Sequence, residues 1–317
     1  MYTRRDVGRF ALGGLALRTA TLAGPAASAF AAKGDAGMSG GRLGATTWSL
    51  RELPRIPGKD NIDDLIKPLK TAAVTEIDLW SYNTEPAGPN TGPGAPPPPA
   101  AYPIVIHHFT PEEIAAAMLQ ARNLTRDYRL SASAAHYADI RAKFAAAAIS
   151  VAAYTVKYDE TFTDPEIDAT FVQAKSLGAA SITVPGKAET LNRLAPFAEK
   201  HEINIAATDF TLPNALPSKR FKVNADIGAI EAANGSPMAW IQENHDVIGQ
   251  LTVKDRRRNK GKNEQFGDGD TPIQDVLRLV KEKKYTFPVF AEYEYLGLGT
   301  PAEELQRCMD YMRSAVA

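Results

Sequence analysis

What most constrains this chain is a rhythm. Eight short, largely apolar runs recur along it, at 43–50, 75–81, 149–156, 181–184, 203–208, 221–226, 247–254 and 288–294. Segments of helical period lie between most of them. Side chains alternate along a strand, so Leu251 and Val253 turn one way while Thr252 and Lys254 turn the other. Helical segments show a different spacing, clearest in Ile62, Leu65, Ile66 and Leu69 on one face. Strands alternating with helices predict parallel pairing, because a crossover helix joins parallel neighbours. Eight such units, with no Gly-x-Gly-x-x-Gly after the first strand, favour a closed (β/α)8 barrel over an open doubly wound sheet. The 317 residues suffice for one barrel of about 250 residues with appendages.

The appendages lie at the N-terminus and after strand two. Thr3-Arg4-Arg5-Asp6-Val7 precedes a mild apolar stretch and a run of small residues. That pattern predicts a cleavable twin-arginine secretion signal over 1–32, hence a periplasmic or extracellular protein. The apolar stretch is too short, and too interrupted by Gly and Arg18, for a membrane anchor. Removing residues 1–29 takes Arg4, Arg5, Arg9, Arg18 and Asp6, a net +3, from a chain of formal charge −1 and leaves −4. A negative balance argues against a nucleic-acid partner. Residues 33–42 read as a Gly-rich linker, and 43–317 as the barrel. Within the barrel, 84–103 is too rich in proline for helix or sheet. Following a strand, it belongs on the face where barrel chemistry sits, as a partial lid or as a loop without fixed structure.

Helix starts are legible too. Thr110 is expected to cap a helix to about Leu124, Asp164 one over 165–177, and Asp270-Thr271-Pro272 the helix after strand seven. The single cysteine, Cys308, excludes an internal disulfide, and its spacing from Leu305 and Met312 places it in a helix core. His136 and His201 fall in helices, and His245 precedes strand seven, at the far end of the barrel.

Charged residues collect at the predicted strand ends. Asp78 and Trp80 point inward on strand two, Asp226 closes strand six and Lys254 closes strand seven. Glu292 and Glu294 share one face of strand eight. In a (β/α)8 barrel these ends converge at the C-terminal mouth. Neighbouring carboxylates repel unless a proton or cation lies between them. Glu292 and Glu294 are therefore either working acid–base groups or salt-bridge partners of Lys254 or Arg256. The Arg256–Arg258 run is either a solvated loop or a contact to an anionic substrate.

Val253-Lys254-Asp255-Arg256, followed by Phe266-Gly267-Asp268-Gly269-Asp270-Thr271-Pro272-Ile273, resembles the seventh βα unit of the sugar phosphate isomerase/epimerase family. Asn224-Ala225-Asp226-Ile227-Gly228 resembles that family's Leu-Asp-Ile-Gly-His, and Glu292-Tyr293-Glu294 its Glu-Tyr-Glu. The resemblance implies a single xylose-isomerase-like TIM barrel behind the signal segment. It implies a small-molecule carbohydrate, changed by proton transfer next to a carbonyl. It implies catalytic roles for Glu292, Lys254 and Glu294, substrate contacts from Trp48, Trp80, Asp78 and Arg256, and a divalent cation, Mg²⁺ or Mn²⁺, on Asp226 and Glu292. Each Trp is a platform for a sugar face or a packed core aromatic. The family's imidazoles are replaced here: Thr252 and Ala229 stand for two of them, and Ala206-Ala207-Thr208 for a His-Asn-His. Carboxylates without nitrogen donors suit a hard, oxygen-ligated ion and make a poor Zn²⁺ site. Two other readings stand beside the isomerase. One is a non-catalytic barrel that binds a carbohydrate or a partner and has lost its metal. The other is a metal-independent sugar lyase or hydrolase with Glu292 as base and Lys254 as electrophile.

Overall fold

The computed structural model describes residues 42–56, 58–86, 110–209, 211 and 216–317. The predicted leader at 1–32, the linker as far as 41, and nearly all of the Pro-rich stretch lie outside the described residues. Eight strands close a barrel: β1 (Arg42–Thr46), β2 (Glu76–Trp80), β3 (Ser150–Thr155), β4 (Ser181–Pro185), β5 (Asn204–Thr208), β6 (Phe221–Asp226), β7 (Ile248–Val253) and β8 (Pro288–Ala291). Every neighbouring pair is parallel, and β8 pairs back onto β1. Around them run α1 (Ile62–Thr71), α2 (Pro111–Ser131), α3 (Ala134–Ala146), α4 (Asp164–Leu177), α5 (Ala188–His201), α6 (Ile227–Ala232), α7 (Pro237–Asn244), α8 (Ile273–Lys283) and α9 (Pro301–Val316).

Strand period sets the two faces. Ile77, Leu79, Ile205, Leu251, Val253 and Val289 join the apolar layer shared with the helices, where Cys308 also lies buried. Inside the barrel, Phe290 fills the lower space opposite Gly44 in register. A Cβ on Gly44 would come 2.9 Å from that ring. Above Phe290 the interior is polar: Thr46, Asp78, Thr183, Asn224, Gln250 and Thr252 are all buried. Barrels of this kind usually fill such layers with branched aliphatic residues. Burying polar groups costs free energy unless each finds a partner, so this layer marks where the fold has been given over to a site.

Several boundaries differ from the sequence expectation, each for a local reason. β1 stops at Thr46, because Thr47–Leu50 winds into a 3-10 turn. β8 stops at Ala291, although Glu292 still donates its backbone N–H to Val253 O. Thr84 closes a single helical turn, Ser81–Thr84, rather than opening the Pro-rich stretch. α2 starts at Pro111 behind the Thr110 cap as expected, but runs on to Ser131. Its arginines Arg122 and Arg126 hold Glu166 of α4. The cap of α4 is Thr163, not Asp164, in a reciprocal capping box with Glu166. α8 begins without a side-chain cap. Asp270 instead accepts the backbone N–H of Arg258 and pairs with Arg257.

Candidate active site

The polar interior opens at the C-terminal mouth into a cavity of about 330 Å³, within the usual range of small-molecule sites, roughly 300–1,000 Å³. Trp48, Asp78, Trp80, Asp226, Lys254, Glu292 and Glu294 all line it. Sequence reasoning named each of these, and the barrel brings them together from β1, β2 and β6 to β8.

Lys254 is the centre of the cluster. It follows the last residue of β7, and its Nζ lies 2.6 Å from Glu292 Oε1, 2.8 Å from Glu294 Oε2 and 3.3 Å from Asp226 Oδ2. Burial alone would favour the neutral amine, but the three carboxylates outweigh it and hold the ammonium far above its ordinary pKa. Gly228 makes this placement sterically possible. A Cβ there would lie 2.8 Å from Lys254 O and 2.9 Å from Lys254 Cβ.

Each carboxylate has a further partner. Asp226 Oδ1 caps α6 by accepting Ala229 N–H at 2.9 Å. Glu292 Oε2 accepts from Thr46 Oγ1 at 3.0 Å. Glu294 Oε1 accepts from Trp48 Nε1 at 2.7 Å. Burial pushes the Glu292 carboxyl up, and Lys254 brings it only part of the way back. Burial also pushes Glu294 up, but Lys254 and Trp48 outweigh it and leave Glu294 below its ordinary value. Two adjacent glutamates are thus driven apart in acidity, the condition for dividing acid and base roles.

Asp78 lies on the floor. It accepts from Thr155 Oγ1 at 2.7 Å, Thr183 Oγ1 at 3.0 Å and Gln250 Nε2 at 3.1 Å. Burial raises its pKa, and those three donors offset part of the rise. The 3-10 turn carries Trp48 against Trp80, with ring centroids 4.4 Å apart. The stacked pair forms one wall.

Arg256 goes elsewhere. Its side chain reaches Gly261 O, its backbone joins a two-residue antiparallel ladder, and it does not line the cavity. The loop geometry around Asp255 explains why. That buried carboxylate accepts N–H groups from Gly267 at 2.7 Å, Gly269 at 3.0 Å and Thr271 at 3.1 Å. The loop therefore folds over Asp255 and turns Arg256 aside. Sequence reasoning missed this, and it missed Lys157 of the cavity and Thr46, which donates to Glu292 behind it. Thr46 had a signal, being the inward neighbour of Asp78 in register. Lys157 had none, since it lies past the end of β3.

The expected Mg²⁺ or Mn²⁺ on Asp226 and Glu292 does not fit this arrangement. The ammonium of Lys254 sits where such an ion would bridge them, and one Asp226 oxygen is committed to a helix cap. Among the described residues no imidazole lines the cavity, and no group of His, Cys, Asp and Glu is arranged to hold a metal.

No family model matches the chain, and no curated protein matches its sequence. Solved structures do match its shape. A sugar phosphate isomerase/epimerase from Parabacteroides distasonis has 12% identity and a TM-score of 0.56, over 88% of this chain and 98% of that one. A 3-keto-D-glucoside 4-epimerase from E. coli has 11% identity and a TM-score of 0.55, over 86% and 98%. The IolI protein, solved with a bound zinc atom, has 13% identity and a TM-score of 0.55, over 86% and 97%. The chain therefore has the fold of the xylose-isomerase-like (β/α)8 barrels. Likeness at this level carries the fold, and function has to be argued from the site.

Proposed function

We propose that this chain is an enzyme that isomerises or epimerises a small carbohydrate by moving a proton next to a carbonyl, with the Lys254 ammonium in place of a divalent ion. One observation carries the reading: a single cation among three carboxylates, 2.6 to 3.3 Å from each, at the open mouth of a barrel. The stacked Trp48 and Trp80 offer an apolar wall to the C–H face of a sugar ring. Glu292, its pKa raised by burial, removes the proton from the carbon beside the carbonyl. The bonding electrons move onto the carbonyl oxygen, whose developing charge the ammonium stabilises. Returning the proton to the neighbouring carbon, while the adjacent hydroxyl gives its own proton to the former carbonyl oxygen and becomes the new carbonyl, gives an isomer; returning it to the opposite face of the same carbon gives an epimer. Glu294 is the second group placed to take part.

The test is deuterium exchange at carbon, followed by NMR in D₂O over a panel of ketoses and aldoses. Wild type should exchange the proton next to the carbonyl, and Glu292→Gln should lower the rate by roughly 10²-fold or more. Equal exchange by the two proteins would overturn the assignment of Glu292. A binding-only barrel is the second reading, favoured because all four charged groups are already paired. It predicts sugar binding with no exchange. We also propose export through the twin-arginine signal at Arg4 and Arg5, so replacing both with Lys should retain the precursor in the cytoplasm on fractionation.

A further inference from the structure

The cavity has two electrically different sides. On one, Asp226, Lys254, Glu292 and Glu294 pair with one another. On the other, the ends of β3 to β5 bring threonine hydroxyls and Lys157. Lys157 is exposed, and among the described residues no carboxylate pairs with it. Its Nζ lies 5.3 Å from the Trp48 ring centroid and 5.4 Å from that of Trp80. The two centroids are 4.4 Å apart. The ammonium thus makes a cation–π contact with each ring of the stack. Those contacts hold the amine at the cavity wall, and the rings carry no formal charge to neutralise it. The acids of the cavity do not answer it either. Glu294 is held by Lys254 and Trp48, and Asp78 by three donors.

We infer that Lys157 is the anion-binding end of the cavity, and that the ligand is a sugar acid whose carboxylate lies remote from Lys254 and Glu292. The inference rests on the carbohydrate reading above. A carboxylate is favoured over a phosphate because the receiving group is one compact ammonium, with no arginine fork lining the cavity among the described residues. Thr155 and Thr183 stand on the same side to meet neighbouring hydroxyls.

Calorimetric titration tests this with D-glucose, D-glucuronate and D-glucose 6-phosphate as probes, on wild type, Lys157→Met and Lys157→Arg. Wild type should bind D-glucuronate about tenfold more tightly than D-glucose, and the preference should shrink as salt is raised. Lys157→Met, with an unchanged melting temperature, should lose the preference while keeping its affinity for D-glucose. Lys157→Arg should restore most of it. Equal affinity of wild type for D-glucose and D-glucuronate overturns the subsite and leaves the carbohydrate reading standing. A preference that survives in Lys157→Met does the same. A stronger Lys157-dependent preference for the 6-phosphate overturns the carboxylate assignment. No binding by any of the three overturns both readings.

Discussion

At the scale of single residues, the site depends on a few close approaches. Gly228 is the most telling, because its hydrogen faces Lys254 at a distance no side chain tolerates. Gly228→Ala should force Lys254 and α6 apart and cost about 1–3 kcal/mol as an overpacked contact. Urea denaturation should record this as a lower midpoint with an unchanged slope. Gly269 plays the same part beneath the β7 loop, where a Cβ would lie 1.9 Å from Asp255 Oδ1. Residue identities at strand ends were legible in the sequence, because inward and outward positions follow from period two. That is why the alternation alone places Asp78, Trp80, Asp226, Lys254, Glu292 and Glu294 at the mouth. Arg256 was misplaced because a backbone nest around Asp255 leaves no trace in side-chain alternation. Lys157 escaped notice because its position depends on a loop beyond the strand.

At the scale of elements, strands and helices were legible where apolar period alone decides them, and less so where a long-range contact extends or stops an element. α2 is the clearest case. Nothing local carries it past Leu124, but Arg122 and Arg126 reach the buried Glu166 of α4, at 2.7 and 3.2 Å. Burial pushes Glu166 up, yet Arg122, the Thr163 N–H and Arg126 bring its pKa down to about 2. Its folded value thus lies below its unfolded one. The stability it adds is present above about pH 4.5 and is lost as pH falls toward about 2. Glu166→Gln should cost on the order of 3 kcal/mol at pH 7. The gap between wild type and variant in melting temperature should narrow steadily as the pH is lowered through that window. A gap independent of pH would mean that the carboxylate charge is not what holds the two helices.

At the scale of the whole molecule, the barrel gathers charges that are far apart in sequence, and the meaning of each changes with its company. Asp226, Lys254, Glu292 and Glu294 read separately as candidate ligands and catalysts. Brought together, they form a cluster whose cation is built into the chain. The central claim is that Lys254 occupies the place of a divalent ion. Calorimetric titration of Mn²⁺ into wild type and Lys254→Ala tests it most directly. Removing the ammonium leaves three carboxylates facing one point, which favours a hard, oxygen-ligated cation. The account predicts that wild type takes up no Mn²⁺ and that Lys254→Ala binds one equivalent. Stoichiometric binding to wild type, as tight as to Lys254→Ala, would contradict it.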